Sequence, residues 1–277
     1  MDITDSVGST ALMVAAFRAS ETARPRPLFE DRFASLFAVE KITAFLDAWA
    51  ASEPVVPTVI RVRTRWFNEA LERALAGGAV QVVVLGAGCC CRSLLFARPG
   101  VTFFEIDRAE VLAFKAERLA AGGHRYPAVP LPIDYTAPRL LEALVSGGLD
   151  ATRRTFVIWE GNTYYLPAPA MLTVLSVFAG LPDVRIALDY FHSDVAEGRS
   201  RSPGLRTSIA RLRSLGAPFL SGIDDTGALG QRLGMRVEDD QRFLAYLERL
   251  LPELDLGDDA HAEYGLCLLA KGGEPPR

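Results

Sequence analysis

Cysteine and histidine are scarce in this sequence and are not spaced as metal ligands. The 277 residues contain four cysteines and three histidines. Cys89, Cys90 and Cys91 are consecutive, Cys267 stands alone, and no Cys-x-x-Cys pair occurs. This pattern excludes a disulfide scaffold and gives no support for a zinc site. We therefore expect no metal and interpret the cysteine triplet as small side chains packed in a buried turn.

The sequence also lacks a strong excess of charge of one sign and any long apolar run. Thirty basic and thirty-four acidic residues give a formal net charge of −4, unlike the basic surface of a general nucleic-acid-binding protein. No apolar run reaches the roughly 20 residues that span a bilayer. The first ten residues contain two aspartates and none of the basic residues of a secretory signal. These absences predict a cytoplasmic protein with no nucleic-acid or membrane partner.

Helical patterns dominate the first 78 residues, which we interpret as a helical cap. Ser9 is placed to cap a helix whose apolar residues continue to Phe17. A second amphipathic pattern covers 33–46. A third runs from Val59 to Leu75, with apolar residues at helical spacing, and stops at Gly77 and Gly78.

From residue 79 onwards the pattern predicts strands that alternate with helices. Val80–Leu85 is a continuous apolar run, which is typical of a strand covered on both faces. Further strands are predicted at 101–106, up to Ile133, at 155–159 and at 184–189, with helices at 108–121, 138–146 and 168–179. This alternation predicts an α/β fold with a doubly wound, mostly parallel sheet. We expect one domain over 1–277, with the α/β core at 79–190 and 235–273, a lid insertion at 191–234 and a last strand at 263–270.

Glycines and acids follow the predicted strands at one edge of the sheet. The strand 80–85 runs into Gly86-Ala87-Gly88, where glycine lets the backbone turn tightly and approach a ligand. A dinucleotide fingerprint would place a third glycine where Cys91 stands, which disfavours a nicotinamide-dependent oxidoreductase. Asp107 lies at the end of the second strand, about 20 residues after the glycine turn, where an acid accepts hydrogen bonds from ribose hydroxyls.

Other acids end the neighbouring strands. Asp134, next to Tyr135, ends the third strand, and Glu160 ends the fourth. Glu105 lies two residues before Asp107, on the same face of the predicted strand, and is therefore its competitor as the ribose ligand. The alternative interpretation is that these acids are solvated strand ends. Their occurrence at the ends of successive strands favours a binding site.

Arg63 lies inside the apolar stripe of the helix predicted at 59–75. A buried guanidinium needs an anionic partner or an aromatic ring, so Arg63 is either an internal ion-pair partner or a clamp for a ligand carboxylate. Together with the acids, it suggests a ligand made of adenosine and an amino-acid tail. Asp107 would bind its ribose, Asp134 its adenine, Glu160 its ammonium and Arg63 its carboxylate. That ligand is S-adenosylmethionine.

The sequence resembles the leucine carboxyl methyltransferase family of class I methyltransferases. The resemblance rests on Leu28-Phe29-Glu30-Asp31, on Arg63-Thr64-Arg65-Trp66-Phe67, on Val82–Gly88, on Phe104–Asp107, on Glu160–Pro167 and on Leu266–Gly273. It implies a Rossmann-like, seven-stranded sheet whose last strand is antiparallel, below a helical cap. It also implies an S-adenosylmethionine site at Arg63, Gly86, Asp107, Asp134 and Glu160. We expect Ala87, Gly88 and Tyr135, which lie next to these residues in the sequence, to contribute to the same site.

One position departs from the family pattern. After the glycine turn the family usually carries a hydrophobic residue, an aspartate, a small residue and an arginine. Here the sequence is Cys89-Cys90-Cys91-Arg92, so Cys90 replaces the aspartate. The loop beside the methionine moiety has therefore lost a charge and its hydrogen-bond acceptors.

These observations predict an S-adenosylmethionine-dependent O-methyltransferase that acts on a carboxylate or hydroxyl of a small specialised metabolite of a bacterium. An ionised carboxylate needs no base, whereas a hydroxyl does. The candidate bases are Tyr190 and His192, and Tyr164 or its neighbour Tyr165. The arginines of the predicted lid are interpreted as solvated. Two alternatives stay open: a cofactor-binding but non-methylating protein on the same scaffold, cyclase-like or structural, and a methyltransferase for the C-terminal carboxylate of a protein. We expect a monomer or a homodimer.

Overall fold

The core of the protein is a seven-stranded sheet. The computed structural model describes residues 9–38, 55–214, 216–254 and 262–273. The strands are β1 (Gln81–Leu85), β2 (Thr102–Asp107), β3 (Val129–Pro132), β4 (Thr155–Trp159), β5 (Val184–Phe191), β6 (Arg236–Arg242) and β7 (Tyr264–Lys271). Their order is β3-β2-β1-β4-β5-β7-β6. β1 to β5 pair in parallel, and β7 is antiparallel to both of its neighbours. The predicted fold class is thus confirmed.

Ten α-helices lie in the described ranges. They are α1 (Ser9–Thr22), α2 (Val55–Ala76), α3 (Arg92–Leu95), α4 (Ala109–Ala121), α5 (Leu140–Ser146), α6 (Ala168–Ala179), α7 (Ser193–Ala196), α8 (Pro203–Ser214), α9 (Thr226–Leu233) and α10 (Phe243–Leu250). None of these helices is long and apolar enough to cross a membrane. The helices predicted at 59–75, 108–121, 138–146 and 168–179 correspond to α2, α4, α5 and α6. Of the helix predicted at 33–46, the described part is a 3-10 turn at Ala34–Phe37, and 39–54 lie outside the described residues.

Both faces of the central strands are buried, which explains their continuous apolar runs. Every residue of β1 and β4 is buried. Val82 and Val84 of β1 pack in one hydrophobic cluster with α2, whereas Val83 and Leu85 pack in another with α6. Because helices cover each face, the strands gain stability from apolar contacts on both sides.

The region predicted as a lid insertion contains three helices, α7, α8 and α9. The inner face of α8, which includes Leu205, Ile209 and Leu212, is buried. The division of the chain into cap, core and lid remains a prediction. Two elements that follow this region, β6 and α10, were not predicted from the sequence.

The strand order fixes the place of the candidate site. β1 has β2 on one side and β4 on the other, so the chain runs outwards from β1 to β3 and then crosses back to continue the sheet on the other side of β1. In open α/β sheets, ligands bind at such a switch point, outside the carboxyl ends of the strands. The Gly86–Gly88 turn, Asp107 and Glu160 follow the three strands that meet there.

Candidate active site

A cavity of about 670 Å³ opens at the carboxyl ends of β1, β2 and β4. A volume of this size is typical of small-molecule sites. All eight residues predicted to bind the cofactor lie in its wall, as does the candidate base Tyr164. These eight are Arg63, Gly86, Ala87, Gly88, Asp107, Asp134, Tyr135 and Glu160.

The glycine turn after β1 has a backbone conformation that favours glycine. Gly86 has a φ of +61° and Gly88 a φ of +46°. A Cβ on Gly86 would lie 2.7 Å from the side-chain amide of Asn162, so a side chain does not fit there. The Gly88 N–H donates to Asp107 Oδ2 at 2.7 Å, which ties the turn to the end of β2. At the two glycines the turn thus presents backbone, not side chains, to the cavity.

Asp107 has carboxylate acceptors left for a ligand. Its Oδ2 accepts from Gly88 and its Oδ1 accepts from the Arg108 N–H at 2.8 Å. Each carboxylate oxygen has a further lone pair, and the residue lines the cavity. Burial raises the pKa of Asp107, against the opposing effect of these two backbone donors. Its environment therefore fits ribose hydroxyls, which donate hydrogen bonds.

Glu105, the competitor of Asp107, is fully buried below the cysteine loop. It accepts hydrogen bonds from Ser93 Oγ at 2.7 Å, from the Tyr126 hydroxyl and from Lys115 Nζ at 2.5 Å. Lys115 Nζ also donates to the Cys90 carbonyl. Glu105 is absent from the described wall of the cavity, and it supports the loop from beneath.

Asp134 and Tyr135 form the outer rim of the cavity. Asp134 Oδ1 accepts from the Thr136 N–H at 2.8 Å and from Thr136 Oγ1 at 2.7 Å, which fixes the turn after β3. The Tyr135 ring packs edge-on against Trp159, with ring centroids 6.0 Å apart. Burial raises the pKa of Tyr135 to about 12. The rim therefore combines an exposed acceptor with a fixed aromatic ring.

Glu160 lies between two arginines at the inner end of the cavity. Its Oε1 is 3.2 Å from Arg63 Nε, and its Oε2 is 2.6 Å from Arg92 Nη1. All three side chains are largely buried. Burial by itself would raise the pKa of Glu160, but Arg92 and Arg63 outweigh it and lower the pKa to about 2. Glu160 thus forms a buried ion-paired cluster with Arg63 and Arg92.

Arg63 is both an ion-pair partner and part of the cavity wall. Its Nη1 lies 3.4 Å from Asp189 Oδ2 and donates to the Tyr164 hydroxyl at 3.3 Å. Asp189 also accepts from the Gly161 N–H at 2.6 Å and from the Tyr264 hydroxyl. The two interpretations of Arg63 from the sequence are therefore compatible: it is paired inside the protein and it faces the cavity.

Arg92 is a site residue that sequence reasoning did not single out. Its Nε donates to Asn68 Oδ1 at 2.8 Å, and its Nη1 reaches Glu160 and lies 3.5 Å from Cys90 Sγ. Its Nη2 is buried and has no hydrogen-bond partner among the described residues. The family pattern places an aspartate at position 90, next to this guanidinium. Two signals were available: the arginine that the family pattern carries at this position, and the change from aspartate to cysteine two residues before it.

The cysteine loop is buried and held by charged side chains. Arg18 donates to the Cys89 carbonyl at 2.5 Å and pairs with Asp31 at 3.0 Å. Burial raises the pKa of the Cys89 thiol to about 11, so this cysteine stays protonated at neutral pH. All four cysteines are free and buried. Nowhere in the described ranges do three His, Cys, Asp or Glu side chains converge as metal ligands would.

The other two candidate bases lie outside the described cavity wall. Tyr190 packs against the opposite face of the sheet from Phe191, and its hydroxyl donates to Asp240 Oδ1 at 3.1 Å. The His192 side chain is 44% exposed and faces Asp224. Alternate residues of a strand point to opposite faces, which places Tyr190 away from the cavity that Phe191 lines.

Comparison with known proteins places this arrangement in a family. The profile of the leucine carboxyl methyltransferase family matches residues 11–179. A protein of Mycolicibacterium paratuberculosis, provisionally named an S-adenosyl-L-methionine-dependent methyltransferase, is 34% identical over 284 residues, covering 93% of this chain and 89% of that protein. The name of that protein specifies S-adenosylmethionine, the cofactor that the sequence predicts for this chain.

Solved structures share the fold at low sequence identity. The crystal structure of a DUF574 family protein of Streptomyces avermitilis has a TM-score of 0.66 at 13% identity, covering 97% of this chain and 99% of that one. A Thermobifida fusca protein, provisionally described as a methyltransferase, has a TM-score of 0.59 at 13% identity, covering 95% and 94%. The family predicted from the sequence motifs is confirmed by the profile match and by the 34% identical relative, and this chain belongs to the leucine carboxyl methyltransferase family.

Proposed function

We propose that this protein is an S-adenosylmethionine-dependent O-methyltransferase that methylates a small specialised metabolite. The observation that carries the proposal is the hydrogen bond from Gly88 to Asp107 in the same cavity wall as Glu160. It joins a turn whose two glycines carry no side chain to a carboxylate with unused acceptors, in the same wall as a second ionised carboxylate. An adenosine with an amino-acid tail matches these three features in one molecule.

The residues predicted to bind the cofactor each have a role in this proposal. Asp107 accepts from the ribose hydroxyls, Asp134 and Tyr135 contact the adenine, and Gly86–Gly88 lets the methionyl portion pass the backbone. Glu160 accepts from the ammonium group and Arg63 donates to the carboxylate. When bound, the cofactor supplies an electrophilic methyl group.

The acceptor that the cavity favours is a carboxylate. Within the described wall the acids are Asp107, Asp134 and Glu160, and no histidine is present. All three acids are assigned to the cofactor. Burial and the nearby Asp189 raise the pKa of Tyr164 well above its usual value, so Tyr164 holds its proton and donates hydrogen bonds at neutral pH. Because a hydroxyl acceptor needs a base and an ionised carboxylate does not, we propose a carboxylic acid as substrate.

Isothermal titration with S-adenosylmethionine and S-adenosylhomocysteine tests the cofactor. We expect micromolar binding by the wild type and a loss of about tenfold or more in Asp107→Ala, because hydrogen bonds to a charged group contribute about 1.5–3 kcal/mol. Glu142→Ala is the matched control, since Glu142 is an exposed acid that pairs with Arg139 outside the cavity. Absence of binding by the wild type would refute the proposal.

One observation favours the second candidate, a protein that binds the cofactor without methylating. Both oxygens of Glu160 already interact with arginines, and Cys90 provides no carboxylate beside Arg92. Mass spectrometry of incubations with carboxylic acids, phenols and a peptide that ends in leucine distinguishes the possibilities. Methylation of an acid supports our proposal, methylation of the peptide supports a protein carboxyl methyltransferase, and binding without any methylated product supports the second candidate.

A further inference from the structure

We infer that the cavity contains an acceptor subsite for an apolar, ring-bearing carboxylic acid, with the Tyr165 hydroxyl as its hydrogen-bond donor. The inference rests on the proposed function and specifies the substrate class. Three observations support it: an aliphatic wall, an aromatic wall and the distribution of charge.

The aliphatic wall is formed by helices that come from distant parts of the chain. α1, α2 and α8 all contribute side chains to the cavity, and most of these are buried within one hydrophobic cluster. Representative members are Met13, Val59, Ile60, Leu205, Ile209 and Leu212. Such a surface binds apolar groups by removing them from water. It therefore fits a hydrocarbon body better than a sugar or a polar peptide.

The aromatic wall consists of four rings in contact. Tyr165 and Phe219 are 5.3 Å apart at an interplanar angle of 80°, and Tyr164 lies 4.5 Å from Phe219. Phe191 packs 5.1 Å from Phe219. All four line the cavity. Aromatic rings pack favourably against other rings in offset or edge-on arrangements, which favours a ring in the acceptor.

The arginines of the described cavity wall are already paired with acids, including Arg63, which also donates to the Tyr164 hydroxyl of the aromatic wall. The arginines in the described wall are Arg18, Arg63, Arg92 and Arg108. Arg18 pairs with Asp31, Arg63 and Arg92 pair with Glu160, and Arg108 pairs with Glu110. None of them comes from α8 or from the aromatic wall. Because these cations already have anionic partners, we expect a neutral donor to orient the acceptor's oxygen group.

Tyr165 is that donor. Its hydroxyl makes no hydrogen bond with any described residue, whereas the hydroxyls of Tyr164 and Tyr264 are both bonded. Burial raises the pKa of Tyr165 to about 12, so the group stays protonated at neutral pH. A protonated phenol donates a hydrogen bond to a carboxylate. Because it keeps its proton at neutral pH, it does not act as the base that a hydroxyl acceptor would need. Tyr165 thus suits an acceptor that is already ionised.

A peptide tail fits this subsite poorly. Its backbone would bring several N–H and C=O groups into an apolar enclosure, where unpaired polar groups cost free energy. The aliphatic and aromatic walls offer few side-chain partners for them. A compact acid with one polar end avoids that cost.

The test uses 2-naphthoate, acetate and a hexapeptide that ends in leucine as probes, each titrated into the full chain with and without S-adenosylhomocysteine. We expect 2-naphthoate to bind at least tenfold more tightly than acetate or the hexapeptide. Tyr165→Phe should weaken 2-naphthoate binding about tenfold or more while changing S-adenosylhomocysteine affinity less than twofold. Tyr246→Phe is the matched control, because the Tyr246 hydroxyl bonds Glu69 outside the cavity.

A second variant tests the aliphatic wall. Ile209→Glu places a charge in the subsite and should abolish 2-naphthoate binding with cofactor-product binding retained; if circular dichroism shows that it does not fold, Ile209→Ala should give a smaller loss. Equal affinity of Tyr165→Phe and wild type for 2-naphthoate, or preference for the hexapeptide, would overturn the inference. If S-adenosylhomocysteine does not bind, the proposed function is refuted. The titrations of 2-naphthoate without S-adenosylhomocysteine would still test the acceptor subsite.

Discussion

Arg92 Nη1 donates to Glu160 Oε2 at 2.6 Å and joins residues that are 68 positions apart in the sequence. With Arg63 on its other oxygen, Glu160 is held in one orientation at the end of β4. Its carboxylate stays ionised because both cations favour the charged form. The relationship makes Glu160 a structural centre of the site as well as a proposed cofactor ligand.

Glu160→Gln is expected to destabilise the fold at neutral pH by about 3–5 kcal/mol, because it leaves two buried guanidinium groups without their shared carboxylate. The pKa of Glu160 falls from 4.5 to about 2 on folding. Its contribution is therefore complete above pH 4.5 and disappears as the pH falls towards 2. Urea unfolding of both proteins at pH 7, 5, 4 and 3 measures the difference, which should shrink below pH 4.5.

The matched control for that experiment is Glu142→Gln. Glu142 forms an exposed pair with Arg139, and such pairs contribute at most about 1 kcal/mol. A loss in Glu160→Gln that is as large at pH 3 as at pH 7 would contradict the proposed origin of the stabilisation.

Cys90→Asp is expected to tighten the binding of S-adenosylhomocysteine about tenfold. Cys90 Sγ lies 3.5 Å from Arg92 Nη1, so a carboxylate at this position would attract Arg92 and free one oxygen of Glu160 for the ligand's ammonium. One charged hydrogen bond contributes about 1.5–3 kcal/mol. Titration calorimetry measures the change, and Cys90→Ser, which adds no charge, should bind like the wild type. Weaker binding in the aspartate variant would show that Arg92 does not compete for Glu160.

Gly86→Ala is expected to reduce both stability and cofactor binding. At a φ of +61° an alanine is strained, and its Cβ would lie 2.7 Å from the Asn162 side chain. A strained backbone position costs about 1–3 kcal/mol. Thermal unfolding measures the loss of stability, and titration calorimetry with S-adenosylhomocysteine measures the loss of cofactor-site affinity. Gly123→Ala shares the positive φ but has open space around the Cβ, so it should lose stability with cofactor affinity unchanged.

Lys115→Met tests the support below the cysteine loop. Lys115 is fully buried, pairs with Glu105 at 2.5 Å and donates to the Cys90 carbonyl. Its removal leaves a buried carboxylate unpaired, which costs about 3–5 kcal/mol. Urea unfolding should show that loss, and the double variant Lys115→Met, Glu105→Gln should recover part of it. Equal stability of the wild type and the single variant would mean that the pair is dispensable.

The fold could be predicted from the sequence wherever local pattern and burial agree. β4 and α6 have the predicted bounds. A fully buried strand and a helix that begins directly after Pro167 both have clear apolar patterns in the sequence. β6 was missed for the opposite reason. It is an edge strand, Arg236–Arg242, in which Val237 is the one apolar residue. Its position depends on pairing with β7, which no local pattern contains.

The site was predictable for residues that follow strands and not for those that act through distant contacts. Asp107 and Glu160 were found because parallel strands end at one edge of the sheet. Arg92 was missed because its partner depends on how α3 packs against the end of β4. Tyr190 and His192 were proposed from their position after a strand, but β5 continues to Phe191 and its alternation directs Tyr190 to the other face.

The position of β7 makes the far end of the cavity depend on the last described strand. This strand inserts between β5 and β6, and the hydroxyl of its first residue, Tyr264, bonds Asp189. Among the described strands β7 is the last to be synthesised, and until it pairs with β5 Asp189 lacks the Tyr264 hydroxyl. The surroundings of Arg63 therefore depend on a residue 201 positions further along the chain, so a chain that ends before Tyr264 would lack this contact to Asp189.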